Sequence, residues 1–439
     1  MSPNKEIPTF DGATLSPKLK ARDGADPHSH ALPIGKSAGA GGVAVARQYK
    51  HAAGKSSTYS PQVVDMIYHM SRDGAFSDEH TARFVAAKLA GERDSPRATP
   101  PTTWDQLVFL SANLTRLVID PYREKCNSIV RIGDERPRPL SLDWPIVYGG
   151  IQLSRLPGSI ASHLVQTAAR ANLAVETEAA FDTAPNMPRI VRVDATQPLP
   201  TLNGACAVEV DAPRATLLDV RRLGPVVDAL RLATDRTIPV GIVAPAFNAS
   251  TVVDQTVQLG VDFYVADAQW TEDARPDNVF PELRAAPAIG VLTDTVEQLR
   301  LHCREEAVQI IYRGGIRGGA DAGKAICLGA TAVTLGLSAV VGMGFQVTQI
   351  ADEQSLLDQL ANEQRESRAI ETHLYNFTKS VVMEVTMLAR ACGKSSVTNM
   401  EPEDLRALSR DLSAVTGIPV VGKDYNFRVE ETNRKSQVV

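Results

Sequence analysis

Residues 308–336 read VQIIYRGGIRGGADAGKAICLGATAVTLG, and this stretch decides the fold. An apolar run at 308–312 leads into a glycine-rich turn, a helical pattern at 320–328 and a second apolar run at 332–335. Strands buried on both faces read as continuous apolar runs, and two such strands joined by a helix form a parallel βαβ unit. The stretch therefore predicts a parallel sheet covered by helices.

The same alternation extends through the residues before this stretch. Further apolar runs lie at 145–148, 173–175, 190–193, 207–210, 238–243 and 263–266. Together with the runs at 308–312 and 332–335, they make eight strand–helix units. Eight such units predict an α/β protein built as a (β/α)8 TIM barrel. A doubly wound open sheet remains the alternative because it has the same periodicity, and a ninth run at 288–292 is ambiguous.

The flanks of the barrel differ from it in composition and pattern. The predicted regions are a disordered arm at 1–35, an N-terminal helical extension and linker at 36–102, the barrel with its lead-in at 103–345, and a C-terminal helical region and tail at 346–439. The arm is rich in Pro, Gly and Ser and has no apolar period, which is typical of disorder.

Three helices are expected locally in these flanks. Ser60 and Pro61 suit the N-cap and the first position of a helix that starts there. A second helix is predicted at 78–89. A third is predicted at 401–408, with Pro402 near its start.

Charge and cysteine content exclude several classes of protein. Lys and Arg number 46 against 51 Asp and Glu, a balance that gives no argument for nucleic acid binding. No apolar run approaches the length of a membrane span, and no secretory signal is recognisable, so we expect a cytoplasmic protein. The five cysteines have no metal-site spacing, so neither a metal site nor an iron–sulfur cluster is expected.

The glycine-rich turn is the best candidate for a binding site. Gly314 and Gly315 follow the seventh strand and Gly336 follows the eighth. Glycine lets backbone N–H groups approach an anion closely, and barrels often bind phosphate on these two loops. Arg313 and Arg317 could add charge-assisted hydrogen bonds. The alternative is that the glycines only make a tight turn between strand and helix.

Other candidate motifs give weaker evidence for a functional site. Glu176 and Glu178 follow the second strand, where Glu178 is a candidate for acid–base work, although a solvated pair of loop carboxylates explains them as well. Gly-Lys-Ser tripeptides at 35–37, 54–56 and 393–395 lack the glycine that a P-loop needs five positions earlier.

Five segments resemble parts of the FMN-binding glutamate synthase family. The lead-in at 103–126 is similar to the family's entry into its barrel, and 314–321 to its flavin-phosphate loop. Segments 389–396, 401–408 and 416–419 resemble its closing helices. The organisation resembles that of a stand-alone barrel subunit, as in the C subunit of N-methylglutamate synthase.

The resemblance implies an FMN-dependent oxidoreductase that carries out reductive amination of 2-oxoglutarate with an amine. It implies a homo-oligomer or a complex with other glutamate synthase-like subunits, and no iron–sulfur cluster. By this resemblance the flavin phosphate would be held by Gly314, Gly315, Gly336 and Arg317, the flavin ring would be approached by Gly149 and Gly150, and Glu178 would be the acid–base residue.

The departures from the family pattern fall on the expected active face. Gly241 stands where the family has a lysine on the fifth strand, and Arg313 stands where it has a serine. A cation beside a reduced flavin can contribute several kcal/mol to a transition state, and glycine supplies none. Two alternatives follow: a catalytically degenerate barrel acting as a scaffold or regulatory partner, and a barrel for another phosphorylated small molecule.

Overall fold

A computed structural model describes most of the chain. The described residues are 58–75, 103–112, 119–120, 124–179, 181, 187–269, 279–283, 287–345, 353–362 and 365–423. The arm predicted at 1–35, the helix predicted at 78–89 and the linker up to residue 102 lie outside them.

The strands of the described residues include a closed ring. They are β1 Leu107–Phe109, β2 Val130–Ile132, β3 Leu140–Leu142, β4 Ile146–Tyr148, β5 Ala174–Glu178, β6 Arg189–Asp194, β7 Ala207–Asp211, β8 Val240–Pro245, β9 Phe263–Asp267, β10 Gln309–Arg313, β11 Ala332–Leu335 and β12 Leu405–Ala407. Strands β4 to β11 close into a barrel in sequence order, with β11 beside β4 and every neighbour parallel. This confirms the predicted TIM barrel and excludes the open sheet.

The helices cover the barrel and extend beyond it. They are α1 Pro61–Asp73, α2 Gly158–Ala171, α3 Arg214–Leu217, α4 Val220–Ala233, α5 Ala249–Thr256, α6 Gly290–Leu301, α7 Gly319–Cys327, α8 Leu337–Gly342, α9 Glu353–Ala361, α10 Ser367–Ala391 and α11 Arg410–Thr416. The ambiguous run at 288–292 leads into α6. Within the described part of the chain, no helix has the length and apolar character that crossing a membrane requires.

A hairpin lies at the amino-terminal end of the barrel. Strands β2 and β3 pair antiparallel just before the first barrel strand. The turn between them is fixed to the starts of two barrel strands: Gly133 N–H donates to Gln309 Oε1 at 2.6 Å, and Arg136 Nε lies 2.7 Å from Asp262 Oδ1. Functional groups of a TIM barrel belong at the opposite, carboxyl end, which we call the mouth.

The prediction of a helix at 401–408 is wrong. Pro402–Asp404 forms a 3-10 turn, and Leu405–Ala407 continues as β12, paired antiparallel with β1. Leu405 and Ala407 are buried while Arg406 between them is partly exposed, so burial alternates as in a strand. The pairing strand comes from the lead-in to the barrel, which a local pattern at 401–408 does not show.

Helix α1 is held near the mouth by its packing against α10, the longest of the described helices. Ser60 caps α1 as predicted, because its hydroxyl accepts the N–H of Val63. Helix α10 packs against α1, α2 and α7, and Ser380 on α10 donates to the Met70 carbonyl at 3.2 Å. Tyr59, just before α1, is thereby held at the mouth with 3% of its surface exposed.

Candidate functional site

Charged side chains from five barrel strands meet inside the mouth. Four of these side chains are almost completely buried and the fifth, Arg192, is about one-fifth exposed. The set consists of Glu176 on β5, Arg192 on β6, Glu209 on β7, Asp267 on β9 and Arg313 on β10. We call it the Arg313 cluster.

Arg313 is the centre of this cluster. Its Nη2 lies 2.6 and 2.7 Å from the two carboxylate oxygens of Glu209 and 2.7 Å from Glu176 Oε2. Its Nη1 lies 3.1 Å from Asp267 Oδ2. Burial alone would raise the pKa of Glu209, but attraction to Arg313 and Arg192 outweighs it and lowers that pKa. The carboxylate of Glu209 is therefore ionised inside the barrel.

Arg192 completes the cluster from the neighbouring strand. Its Nε donates to Glu209 Oε1 at 2.9 Å, and its Nη2 contacts Glu176 Oε1. Each cation thus bridges carboxylates on different strands. Buried charges require such partners, because an unpaired charge in a low-dielectric interior is very costly.

A second carboxylate lies where the two glycine loops converge. Glu282, in the 3-10 turn Pro281–Leu283, accepts the backbone N–H groups of Gly315 and Leu337. It also accepts Nε2 of Gln269 at 3.1 Å and the hydroxyl of Tyr59 at 2.5 Å. Burial raises the pKa of Glu282 to about 7, although these four donors pull it down. The loops after β10 and β11 therefore surround a carboxyl group that belongs to the chain itself.

Arg317 is held by two other carboxylates. Its Nε lies 2.7 Å from Asp321 Oδ2 on α7, and its Nη2 lies 2.9 Å from Asp105 Oδ1 in the lead-in. The guanidinium is almost completely buried in these contacts. Arg317 therefore ties the glycine loop to the lead-in and to the start of α7.

Two predicted glycines face the Arg313 cluster. A Cβ on Gly149 would lie 2.5 Å from Glu176 Oε2, and a Cβ on Gly150 would lie 3.1 Å from Gln269 Nε2 and 3.2 Å from Arg313 Cγ. Gly150 N–H donates to Glu176 Oε2 at 3.2 Å. These glycines allow a close approach, and the groups that approach them are side chains of this chain.

The remaining predicted glycines are covered in the same way. A Cβ on Gly336 would lie 2.7 Å from Glu282 Oε1, and one on Gly314 would lie 3.0 Å from Gln269 Cγ. Gly315 has φ +64°, which favours glycine, and a Cβ there would lie 2.8 Å from Pro287 Cγ. The structure thus brings Gly314, Gly315 and Gly336 together, around Glu282 and Gln269.

Glu178 lies apart from these groups. It is the last residue of β5, is partly exposed, and accepts the Ser154 hydroxyl at 3.3 Å. Its neighbour Glu176 is the one that reaches the interior. Reasoning from the sequence did not single out Glu209, Asp267 or Glu282.

The strand position where the resemblance leads one to expect a lysine has no room for a side chain. A Cβ on Gly241 would lie 2.6 Å from ring atoms and from the carbonyl oxygen of Phe263. Phe263 is fully buried on the adjacent strand β9. The absence of the lysine is therefore matched by apolar filling of the space beside it.

Comparison with known proteins shows which families the chain is similar to. Residues 283–366 match the model of the FMN-dependent dehydrogenase family. A glutamate synthase large subunit-like protein of Rhizobium meliloti (strain 1021) is 25% identical over 430 residues, which cover 82% of this chain and 97% of that protein. An archaeal-type glutamate synthase (NADPH) of Dehalococcoides mccartyi is 27% identical over 139 residues, 31% of this chain and 28% of that protein.

Among solved structures, the flavin-binding domain of baker's yeast flavocytochrome b2 is similar to the chain. The TM-score is 0.47 and the identity 15%, over 75% of this chain and 81% of that one.

The family match indicates FMN as the cofactor and so confirms that prediction at the level of the family. The residues of this chain, in the arrangement described, do not fit the group: Glu282 lies among the donors of the phosphate loops, and Arg313 and Glu176 lie against Gly150 and Gly149. The matched segment contains the loops after β10 and β11, and the similarity to the glutamate synthase large subunit-like protein extends along most of the chain. The chain is therefore a closed eight-stranded barrel that is similar to a glutamate synthase large subunit-like protein along most of its length and to FMN-dependent dehydrogenases over residues 283–366.

Proposed function

We propose that this chain is a barrel subunit of a glutamate synthase-type assembly, and that it contributes structure to the assembly without carrying out a flavin reaction. The observation that carries the proposal is the position of Arg313, 2% exposed and bonded to three carboxylates inside the mouth. Ligand sites are open concave surfaces whose polar groups remain available to the ligand. Here the charged side chains of the Arg313 cluster are paired with one another.

The proposed partners are other glutamate synthase-like subunits or further copies of this chain. The names of the relatives, a large subunit-like protein and glutamate synthases, support this choice. We propose the cytoplasm as the compartment, which agrees with five free cysteines because reducing compartments keep thiols unpaired. The mass of the native particle, measured by light scattering, tests whether the chain assembles alone.

The test of the proposed function is the visible spectrum of the freshly purified full chain. We expect no flavin absorbance, and no change in melting temperature when excess FMN is added. Extraction by heat or acid followed by fluorescence would detect a flavin that is present in traces. A yellow protein that holds about one FMN per chain and bleaches on reduction would overturn the proposal.

A second function is favoured by the length of the similarity. The match to the Rhizobium meliloti protein covers 97% of that protein and 82% of this chain, which supports a shared overall organisation. The corresponding activity is the reductive amination of 2-oxoglutarate with an amine, as in N-methylglutamate synthesis. It requires the predicted glycines to be released by the side chains that cover them. Formation of N-methylglutamate from 2-oxoglutarate and methylamine with reduced FMN, detected by mass spectrometry, would support this second function.

A further inference from the structure

Glu282 reaches the mouth from outside the barrel strands. It belongs to the turn Pro281–Leu283, which lies between β9 and α6. Its side chain is 3% exposed, and its carboxylate joins the loop after β10 to the loop after β11. A carboxylate that only stabilised its own turn would bond within that turn. Glu282 instead bonds to groups from four separate segments.

The four described groups that bond to this carboxylate are all hydrogen-bond donors. Two are backbone N–H groups, of Gly315 and Leu337, and the third is the side-chain amide of Gln269, itself buried. The fourth is the hydroxyl of Tyr59, and burial raises the pKa of that phenol well above its usual value, so it keeps its proton. Four converging donors suit an anion with several oxygens, such as a carboxylate or a phosphate.

We propose that Glu282 is a built-in anion that occupies a phosphate-type site of the barrel, and that removal of its carboxylate turns the same four donors into a site for inorganic phosphate or a phosphate monoester. The site consists of Gly315, Leu337, Gln269 and Tyr59, and we call it the Glu282 site. Gly336 lies against this site and leaves room for the carboxylate, because a Cβ there would lie 2.7 Å from Glu282 Oε1. The inference rests on the proposed function in one respect, that the wild-type mouth is closed.

The Glu282→Gln variant removes the charge of Glu282 and keeps the volume of its side chain. It therefore tests whether the site needs a negative charge or only a side chain that fills it. In Glu282→Gln the amide nitrogen would direct two donors at groups that are donors themselves. We expect a lower melting temperature that phosphate does not restore, because the glutamine still fills the site. A Glu282→Gln protein as stable as wild type at pH 8, where the pKa of about 7 leaves Glu282 mainly ionised, would overturn the inference.

Removing both charge and volume tests the ligand. The full-length Glu282→Ala protein is melted at pH 8 in chloride and in millimolar phosphate or formate at equal ionic strength. We expect phosphate to raise the melting temperature of Glu282→Ala by about 2–5 °C, because a ligand that binds only the folded state stabilises it. The melting temperature of wild type should change by less than about 1 °C, because Glu282 already occupies the site. Formate is expected to act in the same direction, because it replaces the carboxylate that was removed.

The two proposals fail on different results. Equal responses of Glu282→Ala and wild type to phosphate, or no response of a folded Glu282→Ala protein, would overturn the inference about Glu282. If Glu282→Ala does not fold in chloride, its refolding yield in phosphate takes the place of the melting curve, and no gain in yield counts against the inference. FMN in the purified wild-type protein would overturn the proposed function, whatever the phosphate experiment shows.

Discussion

Arg313, at the end of β10, donates through one nitrogen to both carboxylate oxygens of Glu209 on β7, at 2.6 and 2.7 Å. Strands β8 and β9 lie between these two strands in the ring, so the contact crosses the interior of the barrel. The mouth is therefore filled by paired charges that the chain supplies. Such pairs are costly to assemble, and costlier to break one partner at a time.

Truncation of the central cation tests how much the Arg313 cluster holds together. In Arg313→Ala the carboxylates of Glu209 and Asp267 lose their shared partner, and we expect unfolding to become easier by about 3–5 kcal/mol. Urea denaturation followed by circular dichroism measures this difference. Arg300→Ala, at an exposed position on α6, is the control and should change stability by less than about 0.5 kcal/mol. Equal stability of the two variants would show that the cluster is dispensable.

The hydroxyl of Tyr59 fixes the N-terminal extension to the barrel. Tyr59→Phe keeps the ring and removes the donor to Glu282, so we expect a loss of about 1–3 kcal/mol in the free energy of unfolding. The control is Tyr68→Phe on α1, whose ring is only partly buried, and its stability should stay near that of wild type. Thermal unfolding of the two variants measures the difference. Equal melting temperatures for Tyr59→Phe and Tyr68→Phe would contradict the prediction.

Stability should fall as the pH rises through the range in which Glu384 titrates. This residue of α10 accepts the N–H groups of Gly319 and Ala320, and burial, followed by the charge of Asp321, raises its pKa from 4.5 to about 7. The folded chain then binds the proton more tightly than the unfolded chain. The resulting stabilisation is complete below pH 4.5 and disappears by about pH 7, at a cost of up to about 3 kcal/mol.

Melting temperatures at pH 5 and pH 8 measure this effect. We expect wild type to melt at a lower temperature at pH 8, and Glu384→Gln to show a smaller difference between the two conditions, because glutamine does not titrate. Glu305→Gln, at an exposed position, should follow the wild-type curve. The prediction fails if Glu384→Gln keeps the full pH dependence.

A single methyl group at Gly241 should strain the barrel wall. The added Cβ in Gly241→Ala would lie 2.6 Å from Phe263, including its carbonyl oxygen, so the two strands must shift. We expect a loss of about 1–3 kcal/mol, the usual cost of overpacking. Gly158→Ala, where no atom lies within 4 Å of the new Cβ, is the matched control and should be neutral. Equal denaturation midpoints for Gly241→Ala and Gly158→Ala would contradict the prediction that a Cβ at position 241 strains the barrel wall.

The fold could be predicted because its strands are buried on both faces. Each of the eight apolar runs lies on a barrel strand, and the Ser60 cap marks the start of α1. The strand Leu405–Ala407 could not be found in this way, because its pairing with Leu107–Phe109 joins residues far apart in the chain. Local periodicity carries no information about such a partner.

The site could be predicted only in part, for the same reason. The loops that carry Gly314, Gly315 and Gly336 do come together, as the order of strands in a barrel requires. One signal for the Arg313 cluster is present in the sequence: Glu209 and Asp267 are acidic residues in mainly apolar strands, where a buried charge requires a partner. Glu282 gave no comparable signal, since it lies outside the barrel strands and all its partners are distant.

The docking of α1 on α10 sets an order of events during synthesis of the chain. Met70 leaves the ribosome 310 residues ahead of Ser380, its partner on α10. At about 5–20 residues per second this interval is roughly 15–60 s, and throughout it the part of α1 that packs on α10 has no native partner. Helix α1 is thus made long before its main partner, and a nascent chain must keep this part of its apolar face from other contacts while the barrel forms behind it.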